Sequence, residues 1–409
     1  MSQSMFAALP LAPRDPILGL TEAFNADPRP NKVNLGVGVY YDDTGRLPLL
    51  AAVREAEKSR LSAAPARGYL PIEGFGKYNL AVQDLLFGKD SPLLADGRVA
   101  TFEALGGTGG LKIGADFLKR IAPDAGVWIS DPSWENHRAL FEGAGFKVDT
   151  YPYYDAATHG VNFAGMLAAL NAMPAGSIVV LHACCHNPTG VDLGLDQWQQ
   201  VLAAVRSRGL TAFLDMAYQG FGDGIEEDAA ALRLFADSGL SFFVSSSFSK
   251  SFSLYGERVG ALSIVTADRD ETARVISQVK RVIRVNYSSP PTHGASVVAS
   301  VLSDPELRRL WEEELAGMRG RIRQMREQLV DKLKERGVAR DFSFVTHQRG
   351  MFSYSGLSAA QVDRLREEFG IYAVSTGRIC LAALNSRNLD AVADAIARVL
   401  ATDSTAKAG

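Results

Sequence analysis

The stretch Ser245-Ser246-Ser247-Phe248-Ser249-Lys250-Ser251-Phe252-Ser253-Leu254-Tyr255-Gly256-Glu257-Arg258-Val259-Gly260 joins two apolar runs, Ser241 to Ser246 and Val259 to Val265. Both runs read as strands, so Lys250 stands just past a strand end. Hydroxyls crowd one side of it, and a second cation, Arg258, follows eight residues later between glycines. A lysine held partly desolvated has a lowered pKa, which suits it to Schiff-base chemistry. A carbonyl cofactor bound covalently to this chain is therefore expected.

Upstream, apolar runs and helical patterns alternate. Val99 to Ala104 reads as a strand, and Gly106-Gly107-Thr108-Gly109-Gly110 opens a helix through Ile121. Gly126 to Ser130 is a strand followed by a helix from about Trp134. Ser177 to Ala183 is a buried strand, followed by a helix over Asp196 to Arg208. Thr211 to Met216 is a strand, with a helix near Asp228 to Ser238. Continuous apolar strands separated by helices predict an α/β fold, its large domain a mostly parallel sheet covered by helices on both faces.

Ser303-Asp304-Pro305-Glu306 is a helix start, and apolar residues then recur at steps of mostly three or four from Leu307 to Leu333. A helix over Pro305 to Arg336 would extend about 48 Å, enough to join two domains. Asp341 to Leu400 reads as short strands plus two amphipathic helices, a smaller α+β unit. The first 45 residues, with a short strand at Lys32 to Tyr40, are expected to pack with it. The expected division is an N-terminal arm over 1–12, a small domain from 13–45 and 315–409, and a large cofactor-binding domain over 46–314.

The 409 residues are 47% hydrophobic and carry a net charge of -3, an ordinary globular composition with no basic excess for nucleic acid. The three cysteines, Cys184, Cys185 and Cys380, are too few for a disulfide framework and suit a reducing compartment. The adjacent pair has the wrong spacing for a usual zinc site, so buried inert thiols and no metal are expected. Met1 to Pro16 lacks a basic segment followed by an apolar core, and no apolar run approaches the ~20 residues that span a bilayer. A soluble cytoplasmic protein with neither nucleic acid nor membrane as partner is expected.

Ligands of an open parallel sheet bind beyond the carboxyl ends of its strands, and polar residues gather at those ends here. Backbone amides of the Gly106-Gly107-Thr108-Gly109 run make a phosphate cradle, or simply a tight turn. Asn187, in His186-Asn187-Pro188-Thr189-Gly190, is a site residue or a turn residue. Asp215 ends a buried strand, with Tyr218 three residues on. Such a carboxylate needs a partner, either a structural ion pair or a protonated pyridine nitrogen. Trp134 has a flat face suited to ring stacking or to core packing. His137, on the same side of a helix, can hydrogen-bond Asp215 or sit satisfied in the core. Arg378, in Ser375-Thr376-Gly377-Arg378, can grip a carboxylate through two parallel bonds or lie on the surface.

Taken in order, the runs GGTG, PSW, CCHNPTG, FLDMAYQG, SFSKSFSLYGERVG, NYSSPP and STGR resemble the class I aminotransferases of pyridoxal 5'-phosphate fold type I, in their aspartate and aromatic amino acid subgroup. The likeness runs from about residue 15 to 400. It implies that Lys250 holds pyridoxal 5'-phosphate covalently and later moves a proton from the substrate Cα to the cofactor. Asp215 would pair with the ring nitrogen, with His137 behind it. Tyr218 and Asn187 would hydrogen-bond the ring phenolate oxygen. Gly107, Thr108, Ser247, Ser249 and Arg258 match phosphate-binding positions, and Trp134 the stacking position. Arg378 matches the arginine for the α-carboxylate, with Gly38, Trp134 and Asn187 also lining the substrate site. Tyr69 and Arg284 match residues that reach the partner subunit's site, the first to the cofactor phosphate and the second to a side-chain carboxylate. The resemblance thus implies a homodimer with shared sites, its N-terminal arm on the other subunit, acting on amino acids and 2-oxo acids.

Several positions resemble the aromatic branch: Tyr41 where aspartate enzymes carry lysine, the apolar Leu47, Ser289 in place of asparagine, and the runs GVYYDDTG, YLPIEG and SDPSWENH. Removing a cation and adding apolar surface lowers the cost of burying a ring. The expectation is an aromatic amino acid aminotransferase (tyrosine, phenylalanine) that also takes aspartate and uses 2-oxoglutarate, with Arg284 swinging out for a ring. An aspartate aminotransferase with minor aromatic activity is the alternative. A lyase of the same fold would have no reason to keep paired carboxylate arginines. A cofactor-sensing regulator would need a basic segment longer than Met1 to Asp15. Gly68 beside Tyr69 replaces a bulkier residue of the family.

Overall fold

The structure, a computed structural model, describes residues 4–13, 15 and 17–406. Its centre is a seven-stranded sheet. The strands are Val99–Leu105 (β1), Gly126–Asp131 (β2), Lys147–Pro152 (β3), Ile178–His182 (β4), Thr211–Met216 (β5), Phe242–Ser247 (β6) and Val259–Val265 (β7). Their spatial order is β1-β7-β6-β5-β4-β2-β3, and β7 alone runs antiparallel to its neighbours.

Strand alternation divides the interior in two. Phe213, Phe243, Leu262 and Ile129 face one side, where the helices Gly106–Ile121 (α1), Glu135–Gly143 (α2) and Arg269–Asn286 (α3) cover them. Leu214, Val244 and Ala261 face the other, whose core continues into the C-terminal unit through Ile371, Ile379 and Val392. With both faces covered, the central strands are mostly apolar, which is why their runs read as they do. Gly114 shows how closely α1 lies on the sheet, because a Cβ there would come within 2.5 Å of the Phe213 ring.

The helix Pro305–Glu335 (α4) is 31 residues long and capped by Asp304, whose carboxylate accepts from the Glu306 and Leu307 N–H groups. At 1.5 Å per residue it spans roughly 46 Å. It passes from the large sheet to the C-terminal unit, where Arg321 ties it to the Leu384 carbonyl at 2.8 Å and the Tyr40 hydroxyl at 2.9 Å. The N-terminal segment packs with this unit through Val33–Asn34, which pairs in parallel with Ile371–Tyr372.

Three local expectations differ. The strand expected over Lys32 to Tyr40 is only Val33–Asn34, because Gly36 turns its carbonyl to Arg378 at 2.7 Å and the chain leaves the sheet edge. The helix near Asp228 to Ser238 is two pieces, Ile225–Asp228 and Ala230–Asp237, because the Asp228 carboxylate is drawn into the preceding loop to accept from Gly220, Gly222 and Asp223. The edge strand β3 was not expected at all. All three cysteines are free and buried. Burial pushes the Cys380 thiol up to about 11, and contact with Cys184 together with burial holds Cys185 well above its ordinary range. Residues 1–3 of the expected N-terminal arm, and 14, 16 and 407–409 of the expected small domain, lie outside the described residues. Among the described residues, no helix is long and apolar enough to cross a membrane.

Candidate active site

Lys250 follows the carboxyl end of β6, where the chain turns back toward β7. Gly260 makes that return possible: a Cβ there would sit 2.3 Å from the Gly106 carbonyl carbon, so only glycine lets β7 and the start of α1 meet. The Lys250 side chain is part-buried, and protein surrounds its ammonium closely. Burial lowers its pKa to about 8, opposed by the Asp215 charge and assisted by Arg258. Its Nζ lies 4.9 Å from the centre of the Tyr218 ring. At neutral pH a useful fraction of this amine is therefore an unprotonated nucleophile.

Asp215 ends β5 beside Ser245 on one side and His182 on the other. It shares a sheet face with Phe213, the face that α2 covers, and α2 brings His137 behind it. His137 is wholly buried, with Nε2 2.8 Å from Asp215 Oδ2 and Nδ1 2.9 Å from the Ser133 hydroxyl. An ionised carboxylate only accepts, so Nε2–H donates. Burial works to raise the Asp215 pKa, but the His137 hydrogen bond, the positive charge His137 carries when protonated and the nearby Lys250 together hold it below its ordinary value. The carboxylate thus stays ionised inside the protein. Trp134, partly buried at the start of α2, meets His137 edge-on at 5.3 Å.

Sequence reasoning missed two more histidines. His182 lies 4.9 Å from His137 and 4.3 Å from His186, and burial holds it neutral with a pKa of about 3. His186 bonds Ser130 and Thr189 and stacks on Tyr153 at 3.9 Å. The available signal was the one Asp215 gave, a polar residue ending a buried strand. Ligand atoms of His137, His182 and Asp215 lie within 4.8 Å of one another, but both His137 nitrogens are already engaged.

The anion end of the site is built from three segments. Gly106 (φ 71°) ends β1 and lets α1 begin at once, so the free N–H groups of the first turn, at Gly107 and Thr108, point outward. Arg258 (φ 55°) presses against Gly106, where a Cβ would come within 2.4 Å of its guanidinium. Its Nη1 lies 3.3 Å from the Ser249 hydroxyl, and the Ser247 hydroxyl accepts from the Ser249 N–H at 3.3 Å. Among the described residues no carboxylate pairs with Arg258. A helix N-terminus, hydroxyls and an uncompensated guanidinium fit a phosphate group.

Arg378 is 2% exposed. Its Nη1 donates to Asn187 Oδ1 at 3.0 Å and its Nη2 to the Gly36 carbonyl at 2.7 Å. Its Nε is buried without a partner, and the nearest carboxylate, Glu135, is 3.8 Å away. The guanidinium lies 4.4 Å over the Phe352 ring, and Gly38 lets the chain pass that ring, which a Cβ would approach to 2.5 Å. A buried cation with an unpartnered donor is suited to receive a carboxylate. Tyr218 is buried, and that burial raises its hydroxyl pKa, with Arg378 opposing. A cofactor carrying an aldehyde, a ring nitrogen and a phosphate fits Lys250, Asp215 and the Arg258 end respectively.

Two site candidates stand apart within the single chain. Tyr69 is 99% exposed. Arg284, near the end of α3, is exposed and hydrogen-bonds only the Ser288 hydroxyl four residues on. Neither bonds the Lys250 cluster. Gly68 has open space around it.

The sequence model of the family described as aminotransferase class I and II matches residues 30–396. A Pseudomonas aeruginosa aspartate aminotransferase is 71% identical over 97% of this chain and all of its own. An Escherichia coli aromatic-amino-acid aminotransferase is 56% identical, again over 97% of this chain and all of its own. The crystal structure of a Burkholderia pseudomallei aromatic-amino-acid aminotransferase, covalently bound to pyridoxal phosphate, aligns with a TM-score of 0.95 at 70% identity, covering 97% of this chain and all of that one.

Proposed function

The chain belongs to the class I and II aminotransferases, and from that premise we propose that it moves the amino group of tyrosine, phenylalanine and aspartate to 2-oxoglutarate with pyridoxal 5'-phosphate as cofactor. The observation that carries this reading is the pairing of Lys250, its pKa lowered to about 8, with the buried Asp215–His137 couple and the unpartnered Nε of Arg378.

Bound pyridoxal phosphate would supply an aldehyde for the amine and an electron-poor ring to take up the electron pair left when the Cα–H bond breaks. The other work falls to the chain. Arg258, Ser247, Ser249 and the first-turn amides of Gly107 and Thr108 hold the phosphate. Asp215, kept ionised by His137, favours a proton on the ring nitrogen. Tyr218 and Asn187 hydrogen-bond the ring oxygen, and Trp134 covers the ring face. Arg378, with Asn187 and Gly38 beside it, binds and orients the α-carboxylate. Lys250 Nζ holds the cofactor, then takes the Cα proton and delivers it onward, a role suited to an amine whose pKa lies near working pH. The two half-reactions share one site, so the kinetics are ping-pong.

Tyr69 and Arg284 are assigned to the partner's site in a homodimer. Their exposure, together with that of the apolar Leu47, Leu49 and Val285 elsewhere in the chain, supports a surface that a second copy covers. The domain division assigned is an arm over 1–12, a small domain from 13–45 and 315–409, and a large domain over 46–314, with α4 as the link, and the odd, sparse cysteine set supports a cytoplasmic location. For preference, Tyr41, Leu47 and Ser289 favour aromatic side chains, with aspartate served by Arg284. The reverse preference is supported by the 71% identical relative named for aspartate. The test is kcat/KM for tyrosine, phenylalanine and aspartate side by side with 2-oxoglutarate. All three should turn over, the aromatic pair faster; no turnover above that of Lys250→Ala overturns the proposal.

A further inference from the structure

Away from Lys250 lies a second charged cleft of about 470 Å³, where the loop after β5, the helix α4 and the segment Thr346–Gly350 come together. Four guanidiniums line it, those of Arg319, Arg323, Arg326 and Arg349, and one carboxylate, Asp223. Asp223 is already shared, at 3.3 Å by Arg323 and 2.7 Å by Arg349. Among the described residues, Arg319 and Arg326 bond only carbonyls: Gly220 for the first, and Val345, Gly350 and Phe352 for the second. Arg326 is 2% exposed, and among the described residues no carboxylate forms an ion pair with it, although the charge of Asp192 reaches it. Gln348, 5% exposed, also lines the cleft, and its Nε2 has no partner.

Two deeper carboxylates do not fill the need. Asp192 accepts from the Cys185 and His186 N–H groups at 2.7 and 2.8 Å. Asp228 accepts from three N–H groups of the Gly220–Asp223 loop. His347 adds a further basic group to the lining. Forked guanidiniums in excess of carboxylate are the recognition chemistry of phosphate and carboxylate groups.

We propose that this cleft binds a small multivalent oxyanion, inorganic phosphate or a polycarboxylate, and that the bound anion tunes the substrate site. The linkage is direct. The Arg349 N–H donates to the Gly190 carbonyl at 2.7 Å, three residues beyond Asn187. Arg326 holds the Phe352 carbonyl at 2.6 Å, and the Phe352 ring lies under Arg378. An anion joining α4 to Thr346–Gly350 would hold both supports of the carboxylate site in one arrangement.

Calorimetry on the holoenzyme, titrated with phosphate and in a separate arm with citrate against chloride at equal ionic strength, tests the binding whatever the enzyme's substrate. Saturable binding of one anion per chain is expected, about tenfold weaker in Arg323→Gln and in Arg319→Gln. It should be about tenfold tighter in Asp223→Asn, a gain that misfolding cannot mimic. Heat in only one arm identifies the anion. In assays, the saturating anion should shift KM for the amino acid with little change in kcat, and the midpoint of that shift should move to about tenfold higher anion concentration in Arg323→Gln. No binding beyond the chloride control, or equal affinity in all three variants, overturns the site. Binding without any KM shift overturns the linkage.

Discussion

Replacing Arg378 with lysine keeps the charge and removes the fork. In the structure that fork makes two bonds, to Asn187 Oδ1 at 3.0 Å and to the Gly36 carbonyl at 2.7 Å, and leaves Nε free. A single ammonium cannot hold both protein acceptors and also meet a carboxylate with paired donors. Losing one partner of a buried, hydrogen-bonded charge pair costs about 2–5 kcal/mol. Because lysine retains the charge, we take about 3 kcal/mol, which is on the order of 10²-fold in kcat/KM. The assay compares tyrosine with tyramine, the same side chain without the α-carboxylate. Arg378→Lys should reduce kcat/KM for tyrosine by that factor and leave the slow conversion of tyramine within about threefold of its starting value. Equal losses on both would mean that Arg378 acts only by holding Asn187 and Gly36 in place, and the assignment as carboxylate receptor would be wrong. Retention of tyrosine activity within about threefold would refute it outright.

Other outcomes follow from the same geometry. Lys250→Ala should bind pyridoxal phosphate without a covalent link and lack the pH-dependent visible band of the parent. In cofactor-free parent protein, the rate of covalent capture should climb about tenfold per pH unit below 8 and level off above it, because only the unprotonated amine attacks; a flat profile from pH 6 to 9 would contradict the lowered lysine pKa. Arg284→Leu should cost far more with aspartate than with phenylalanine. Mixed dimers of Arg284→Leu and Lys250→Ala should regain up to about a quarter of the aspartate activity, since half of random dimers hold one intact site; no recovery would argue against shared sites. Glu103, 2% exposed, has its pKa raised from 4.5 to about 7 by burial, with the Phe75 N–H opposing. Its neutral form is the one the fold favours, so that stability is full below about 4.5 and lost as pH rises through about 7. Glu103→Gln should therefore raise Tm at pH 8.5 and leave it nearly unchanged at pH 4.5. A substitution that lowers Tm equally at both would show the charge to be immaterial.

The central strands were legible because both of their faces are buried. Thr211–Met216 and Val259–Val265 read as mostly apolar runs and end where expected. The edge strand Lys147–Pro152 was invisible for the opposite reason. Its exposed Lys147, Asp149 and Pro152 interrupt the pattern, as an edge with one covered face requires. The reversed direction of β7 leaves no trace in its composition, since a strand buried on both sides is apolar whichever way it runs.

The site divides along the same line. Lys250, Asp215, Asn187 and the glycine run could be picked out because each places a polar or turn-forming group at the end of an apolar strand, a local contrast that residue order alone displays. Their partnerships were left open by residue order, which allowed His137 a core role and Arg378 a surface one. His137 meets Asp215 across 78 residues and Arg378 meets Gly36 across 342. The unpartnered Nε of Arg378 and the wholly neutral His182 are facts about what surrounds a side chain. Chain order dictates which groups sit at strand ends. The lowered lysine pKa, the ionised buried acid and the waiting guanidinium arise only when distant segments exclude water around those groups, because desolvation and charge pairing depend on neighbours in space.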